Sequence, residues 1–185
     1  MESITAPFSI KAAALSETVP NSVGKGTFPR PLPRRMSRLS KMCLQCVVEL
    51  VQECGAHILQ LPVVYASRHG ELDRTHSLFE EWRDYGEMSP AGFSLSVHNA
   101  TASLLGLASH NRNSSTTLAA GPDSLAMGVL EAAMICRGGT DCLLMYGDTH
   151  PAPVAAALLI STGSAAELPQ TYSDLQSACT QSSHP

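Results

Sequence analysis

Residues Thr116 to Tyr146 restrict this chain to one kind of building block. Thr116-Thr117-Leu118-Ala119-Ala120 reads as a short buried strand with β-branched residues at its start. Gly121-Pro122 forces a sharp turn, and Asp123 to Arg137 follow as a helix. Pro122 suits the first helical position, and Asp123 faces the positive end of the helix dipole. Gly138-Gly139 supplies a left-handed stop, and Asp141 to Tyr146 form the next strand, closed by Gly147-Asp148. Strand, turn, helix and strand make a βαβ unit, whose two strands should run parallel. The helix is apolar almost all round (Leu125, Met127, Val129, Leu130, Ala132, Ala133, Met134), so it is expected inside the molecule.

A strand that turns abruptly into a buried helix is where many enzymes mount a nucleophile, because the turn exposes one side chain beside free backbone N–H groups. Here the apex residue is Gly121, which has no side chain, and Pro122 after it has no N–H to donate. Ser124 lies a turn into the helix, and Gly-Pro-Asp-Ser does not match G-x-S-x-G. The stretch has the outline of a nucleophile elbow with no nucleophile. A larger side chain at Gly121 is expected to clash with nearby backbone.

The rest of the chain alternates in the same way. Ala6 to Ala14 reads as a first strand, and Ser16 to Pro33, with four prolines and two glycines, as a surface connection. Arg34, Arg35, Arg38 and Lys41 cluster at the start of a helix from Ser37 to Cys54, which stops at Gly55. That cluster reads either as a site for an acidic carrier protein or as a solvated helix end. Ile58 to Ala66 gives a strand, and Glu71 to Tyr85 an amphipathic helix with Leu72, Leu78, Phe79 and Trp82 facing inward. Between them, Arg68 and His69 occupy a loop at the carboxyl end of a strand, where α/β proteins bind ligands. The competing reading is a turn whose polar groups cap the next helix.

Phe93 to Leu107 is predicted to be mostly helical, with Ala100, Ala102, Leu104, Leu105 and Leu107 packing. His98 and Asn99 are its polar intruders. As a base His98 would need a nucleophile beside it, so a histidine satisfied by backbone, or one lining an interface, is the better reading. Val154 to Ser161 is a further strand beside Cys142 to Tyr146. Residues 1–161 thus read as one domain, and 162–185 as a polar tail with room for a short helix and an end expected to be mobile.

A net charge of −4 excludes a broad basic field for nucleic acid. No apolar run approaches the ~20 residues of a membrane span, and Met1 to Ser22 does not read as a secretory signal, so a cytoplasmic location is expected. Cys43-x-x-Cys46 has no second pair to complete a zinc site. The six cysteines read as small hydrophobes, reduced, and neither a metal nor a cofactor is expected.

The segment TTLAAGPDSLAMGVLEAA, preceded by SVHNATASLLGLASHNRNS, resembles the surroundings of the active-site cysteine in β-ketoacyl synthases of the thiolase superfamily. Their V-D-T-A-C-S-S-S-L-type run, laid on this sequence through Ser124-Leu125, places that cysteine on Gly121. PRPLPRRMSRLSKM, then LPVVYASRHGELDRTHSLFEE, then the entry Glu87-Met88-Ser89-Pro90 precede it in the chain and agree with the resemblance. Together they resemble the short ketosynthase-like chain length factors of bacterial aryl polyene clusters, over roughly Phe28 to Ile160.

The resemblance implies an α/β layered fold: a mainly parallel sheet with helices on both faces, like the N-terminal half of the thiolase fold. In that family the catalytic histidines belong to a second half, and this chain reads as ending after the first. It implies a non-catalytic subunit that pairs with a full-length ketosynthase, as heterodimer or heterotetramer, and shapes its acyl tunnel in aryl polyene or fatty-acid-like polyketide biosynthesis. An acyl carrier protein is a further implied partner. In the family, the strand before the elbow pairs antiparallel with its counterpart across a two-fold axis. Carried over, this makes Thr116, Thr117, Leu118 and Ala119 interface candidates, and sets His98 and Asn99 against the partner's acyl tunnel. The alternative is an independent acyl- or carrier-binding protein, or an atypical acyltransferase, using His98, His69 or Ser124 without a cysteine.

Overall fold

Five strands, two of them long and drawn from near opposite ends of the chain, assemble into one sheet. The computed structural model describes residues 5–24, 26–34 and 36–182. The strands are β1 (Thr5–Ser16), β2 (Val63–Ala66), β3 (Ser115–Leu118), β4 (Cys142–Asp148) and β5 (Val154–Glu167). The helices are α1 (Arg38–Cys54), α2 (Leu72–Tyr85), α3 (Pro90–Ser94), α4 (Ala100–Ser109), α5 (Ser124–Cys136) and α6 (Tyr172–Ser182). Helices cover both faces, as expected of the layered α/β class.

The sheet is parallel from β3 through β2 to β4, and antiparallel from β4 through β5 to β1. β3 and β4 are parallel as the βαβ pattern predicts, but they are not neighbours, because β2 lies between them. The expected strand at Ile58–Ala66 is shortened to its second half. Ala56–Gln60 coil into a tight 3-10 turn, and Pro62, which has no N–H, delays the ladder until Val63. β5 runs through residue 161, where the sequence places the domain's end, to Glu167, because β1 supplies a partner along almost its full length. Beyond it, Leu168 and Leu175 on and before α6 are buried. The mobile end expected at the C-terminus reaches residues 183–185, which lie outside the described ones.

Each sheet face has its own core. Val63, Tyr65, Leu143 and Met145 point to the side covered by α1 and α4; Val64, Ala66, Leu144 and Leu158 point to the side covered by α5 and α6. α1 begins where Ser37 accepts a hydrogen bond from the Ser40 N–H at 2.9 Å, and stops at Gly55, whose φ is +94°. α5 lies flat on the sheet because Gly128 offers no Cβ: one built there would sit 2.7 Å from the Ala66 Cβ. Leu125 and Val129 are fully buried, whereas Met134 is 46% exposed and Leu130 and Met127 only partly covered. The apolar circumference of α5 therefore has one side without cover.

The thiols of Cys43, Cys46, Cys136 and Cys142 are buried and donate to backbone carbonyls. Burial pushes Cys46 and Cys142 up to about 12, so they behave as small hydrophobes.

Candidate functional site

β3 leads through Ala120 into a short 3-10 turn at Gly121–Asp123, and α5 starts at Ser124. Gly121 has φ +58°, the left-handed region that glycine enters without cost. A Cβ built there meets nothing within 4 Å, so the clash expected from sequence does not arise. The penalty for a side chain is backbone strain alone, on the order of 1–3 kcal/mol. Ser124, 1% exposed, accepts from the Ala120 N–H at 3.0 Å and donates to the Gly121 carbonyl at 2.8 Å. Its hydroxyl is consumed in holding the turn.

β3 is the outer strand on its side of the described sheet, so the burial expected of it from sequence is not reached: Ser115 is exposed and Thr116, Thr117 and Leu118 are only half-buried. Its residues Ser115 to Leu118 pair with Val63 to Ala66 of β2, and the Leu118 carbonyl accepts from the Ser67 N–H. The Ser114 carbonyl accepts from Val63 N–H in the same way. In a parallel ladder, bonding groups alternate sides along the strand. Thr116 and Leu118 therefore direct their N–H and C=O to β2, and Ser115 and Thr117 direct theirs outward, with the exposed Ala119 continuing the row. No charge or proline guards this edge.

His98 stands at the end of the same strand. Its Nε2 lies 3.3 Å from the Leu118 carbonyl, and its ring 6.2 Å from that of Tyr65. Asn99, exposed, precedes α4 and makes no side-chain cap. The helix expected over Phe93–Leu107 is thus broken between α3 and α4. Leu107, expected to pack, is exposed on α4.

Helix α2 corrects a second expectation. Leu72, Phe79 and Trp82 lie along one stripe, but it faces out, at 44%, 59% and 56% exposure, and only Leu78 is buried. Tyr85, Phe93 and Val97 are exposed in the same stretch of chain. Spacing showed the stripe correctly; among the described residues nothing covers it.

Arg68 and His69 serve a third feature. Asp148, buried at the carboxyl end of β4, accepts the Ser67 hydroxyl at 3.0 Å and the backbone N–H groups of Arg68 (3.1 Å) and His69 (2.9 Å). The Ser67 oxygen in turn accepts from Gly70 N–H. The His69 Nδ1 lies 3.4 Å from the same carboxylate without hydrogen-bond geometry, and its ring meets the edge of His150. Through their main chain, Arg68 and His69 are parts of a turn anchored by the Asp148 carboxylate; the helix cap weighed from sequence is not formed, since no side chain caps the start of α2. The Arg68 side chain is exposed.

Next to this turn, Glu71 is a buried carboxylate that the sequence reading passed over. It accepts the hydroxyls of Ser37 (2.8 Å) and Ser40 (3.0 Å) at the start of α1, and Arg74 lies 3.9 Å away. A cleft of about 260 Å3 opens beside it. Burial raises the Glu71 carboxyl above its ordinary value, and the two serine hydroxyls oppose this. With the folded value raised, the folded chain holds the proton longer, so stability falls as pH rises from the ordinary glutamate range through the raised one. Chemical denaturation across that window should show this slope, and Glu71→Gln should flatten it; an unchanged slope would assign it to another group.

Among the described residues, no group of three or more His, Cys, Asp or Glu side chains is placed to hold a metal ion. Among the described residues, no helix is long and apolar enough to cross a membrane.

Comparison with known proteins gives three results. The profile of the family described as β-ketoacyl synthase, N-terminal domain, matches residues 23–184. No curated protein matches the sequence. Among solved structures, the chain is similar to one in the complex of a ketosynthase (ApeO) with its chain length factor (ApeC) from Xenorhabdus doucetiae. That match has 25% identity and a TM-score of 0.69, and covers 85% of this chain and 80% of the other, so the two are close in length. The ishigamide ketosynthase/chain length factor shares the fold at 16% identity and TM-score 0.61, over 74% of this chain and 48% of that one. An OleA variant from Xanthomonas campestris does so at 15% identity and TM-score 0.50, over 84% and 56%.

Proposed function

Because this chain belongs to the β-ketoacyl synthase N-terminal domain family, we propose that it is a non-catalytic subunit of chain length factor type. It pairs with an active ketosynthase and shapes that enzyme's acyl tunnel, in aryl polyene or fatty-acid-like polyketide synthesis in the cytoplasm. The observation that carries this reading is the open edge of β3, which runs straight into an elbow whose apex, Gly121, has no side chain. Decarboxylative condensation needs a thiolate to hold the acyl chain and donors for the developing charge. The apex supplies no thiol, Pro122 supplies no N–H, and the Ser124 hydroxyl is bonded to backbone on both sides. What remains is a surface for a partner.

Two further features support pairing. The uncovered side chains of Leu72, Phe79, Trp82 and Phe93 form the kind of apolar surface that marks protein contacts. The chain length factor complex from Xenorhabdus doucetiae is the solved structure with the highest likeness reported above, with a chain of similar length. Gly121 marks the nucleophile-equivalent position. Thr116, Thr117, Leu118 and Ala119 line the pairing edge, and His98 and Asn99 lie beside it. No observation favours an independent acyltransferase: His98 contacts a backbone carbonyl, His69 flanks a structural carboxylate, and Ser124 is tied.

The test is co-expression with a ketosynthase from the same gene neighbourhood, followed by mass measurement of the purified material. A complex containing both chains, with condensing activity that disappears when the ketosynthase cysteine is removed, is expected. A monodisperse monomer that ignores the ketosynthase, or turnover by this chain alone, overturns the reading.

A further inference from the structure

Helix α5 has the composition of a core helix, yet one side of it lies open. Leu125, Val129, Ala132 and Cys136 pack against the sheet and are no more than 1% exposed. On the other side Met127 and Leu130 are only partly buried, and Met134 is 46% exposed. Asp123, just before the helix, and Arg137, just after it, are exposed on the same side. From Asp123 through Met127, Leu130 and Met134 to Arg137 the spacings are four, three, four and three residues. That is the repeat of a helix–helix seam, whose members stay on one side of the helix. We propose that this seam joins two copies of this chain, packed antiparallel about a two-fold axis near Leu130.

The order of residues along the seam selects the occupant. Its ends carry opposite charges and its middle is apolar. Two antiparallel copies set Asp123 of each beside Arg137 of the other, at both ends at once, with the apolar side chains meeting between them. A parallel pair would set Asp123 against Asp123 and Arg137 against Arg137. Among the described residues neither charge has an ion pair within its own chain. Both also suit the dipole of their own helix. The exposed apolar residues between them have no such local use, and a self-complementary seam gives them one.

Glu131 reports the direction independently. It follows Leu130 and flanks the seam near the axis, so an antiparallel pair brings it toward its own copy. In a parallel pair its neighbours across the seam would be Ala126 and Ala133. The antiparallel dimer therefore carries one repulsion at its centre, and removing that charge tightens it.

The seam is a different surface from the pairing edge. Pairing at β3 extends the sheet within its own plane, whereas α5 lies flat on a face of the sheet, Gly128 against Ala66, with the seam turned away. One chain can use both, which gives an assembly with two copies of this chain and two of the ketosynthase. The inference does not depend on ketosynthase pairing, because the lone chain holds the whole seam. Helices touching over about 20 Å bury less than the roughly 1,200–2,000 Å2 of a stable interface, so the lone chain should dimerise weakly, with a Kd of about 10 μM.

Sedimentation velocity of the full chain over about 1–100 μM reads this equilibrium, alone and with whatever partner co-purifies. Wild type is expected to pass from monomer to dimer across that range. Met134→Glu should weaken the dimer at least about tenfold by setting an unpaired charge in the seam. Asp123→Arg and Arg137→Asp should each weaken it about tenfold, since each places like charges at both ends. The double exchange, Asp123→Arg with Arg137→Asp, should return it to within about threefold of wild type. Glu131→Gln should tighten it by about threefold. Circular dichroism checks the fold of each variant, and the double exchange carries both charge changes at once, so its recovery separates contact from folding. A wild type that stays monomeric at the highest concentration overturns the proposal. So do single charge variants that dimerise like wild type, a double exchange no stronger than either single, or a Glu131→Gln dimer weaker than wild type. A Met134→Glu chain that loses ketosynthase instead of its own copy also overturns it, by assigning the seam to the ketosynthase.

Discussion

Thr117→Pro is expected to separate this chain from its ketosynthase while leaving its own fold intact. The Thr117 N–H points away from β2, because Thr116 and Leu118 supply the internal ladder. Proline is tolerated where an edge strand's N–H faces outward, so the lone chain should lose no more than about 1 kcal/mol. A strand pairing from outside, however, would lose a donor and meet the ring. That costs about 3 kcal/mol or more, or roughly a hundredfold in affinity. Thr116→Pro is the counterpart: its N–H points into the sheet, so the chain itself should lose about 3 kcal/mol. Melting temperatures of the two variants, with size-exclusion analysis of each mixed with ketosynthase, give both readouts. A Thr117→Pro chain that still forms the wild-type complex would place the interface elsewhere.

Asp148→Ala should be among the most damaging single substitutions outside the apolar core. The carboxylate holds one hydroxyl and two backbone N–H groups, all at 3.1 Å or closer, and it is 3% exposed. Removing it orphans these three donors where water has little access, at about 1–3 kcal/mol each, and with the turn relaxing in part a loss at the low end of their sum, about 3–5 kcal/mol, is expected. Asp148→Asn keeps one accepting oxygen and should lose less. The measurement is urea denaturation of the three proteins. If alanine costs under about 1 kcal/mol, water reaches these groups and the turn is held by its own backbone.

Legibility from sequence followed the range of the forces involved. α1 could be bounded to within a residue because its cap and stop, Ser37 and Gly55, are local chemistry. The turn at Gly121 was equally visible, since only glycine is at ease at φ +58°. β5 could not be bounded: its last residues, from Thr162 to Glu167, are small and polar and become a strand only because β1, some 150 residues earlier, lies beside them. Asp148 was read as a strand ending because nothing near it in the chain shows that it collects Ser67, Arg68 and His69. Glu71, similarly, answers to Ser37 and Ser40 across a gap of about thirty residues. The α2 stripe is a different case. Periodicity identifies an apolar face and is silent about what lies against it, so Leu72, Phe79 and Trp82 were turned inward by default.

That outward stripe bears on supply as well as on assembly. A surplus copy, made faster than ketosynthase can capture it, displays Phe79, Trp82, Tyr85 and Phe93 to the medium and also carries an unguarded strand edge. Chaperones and proteases recognise such surfaces, and so do other surplus copies. Orphan chains are then removed or aggregate while captured ones persist. Under that regime the ratio of the two subunits is corrected after synthesis, and expression need not be balanced gene by gene.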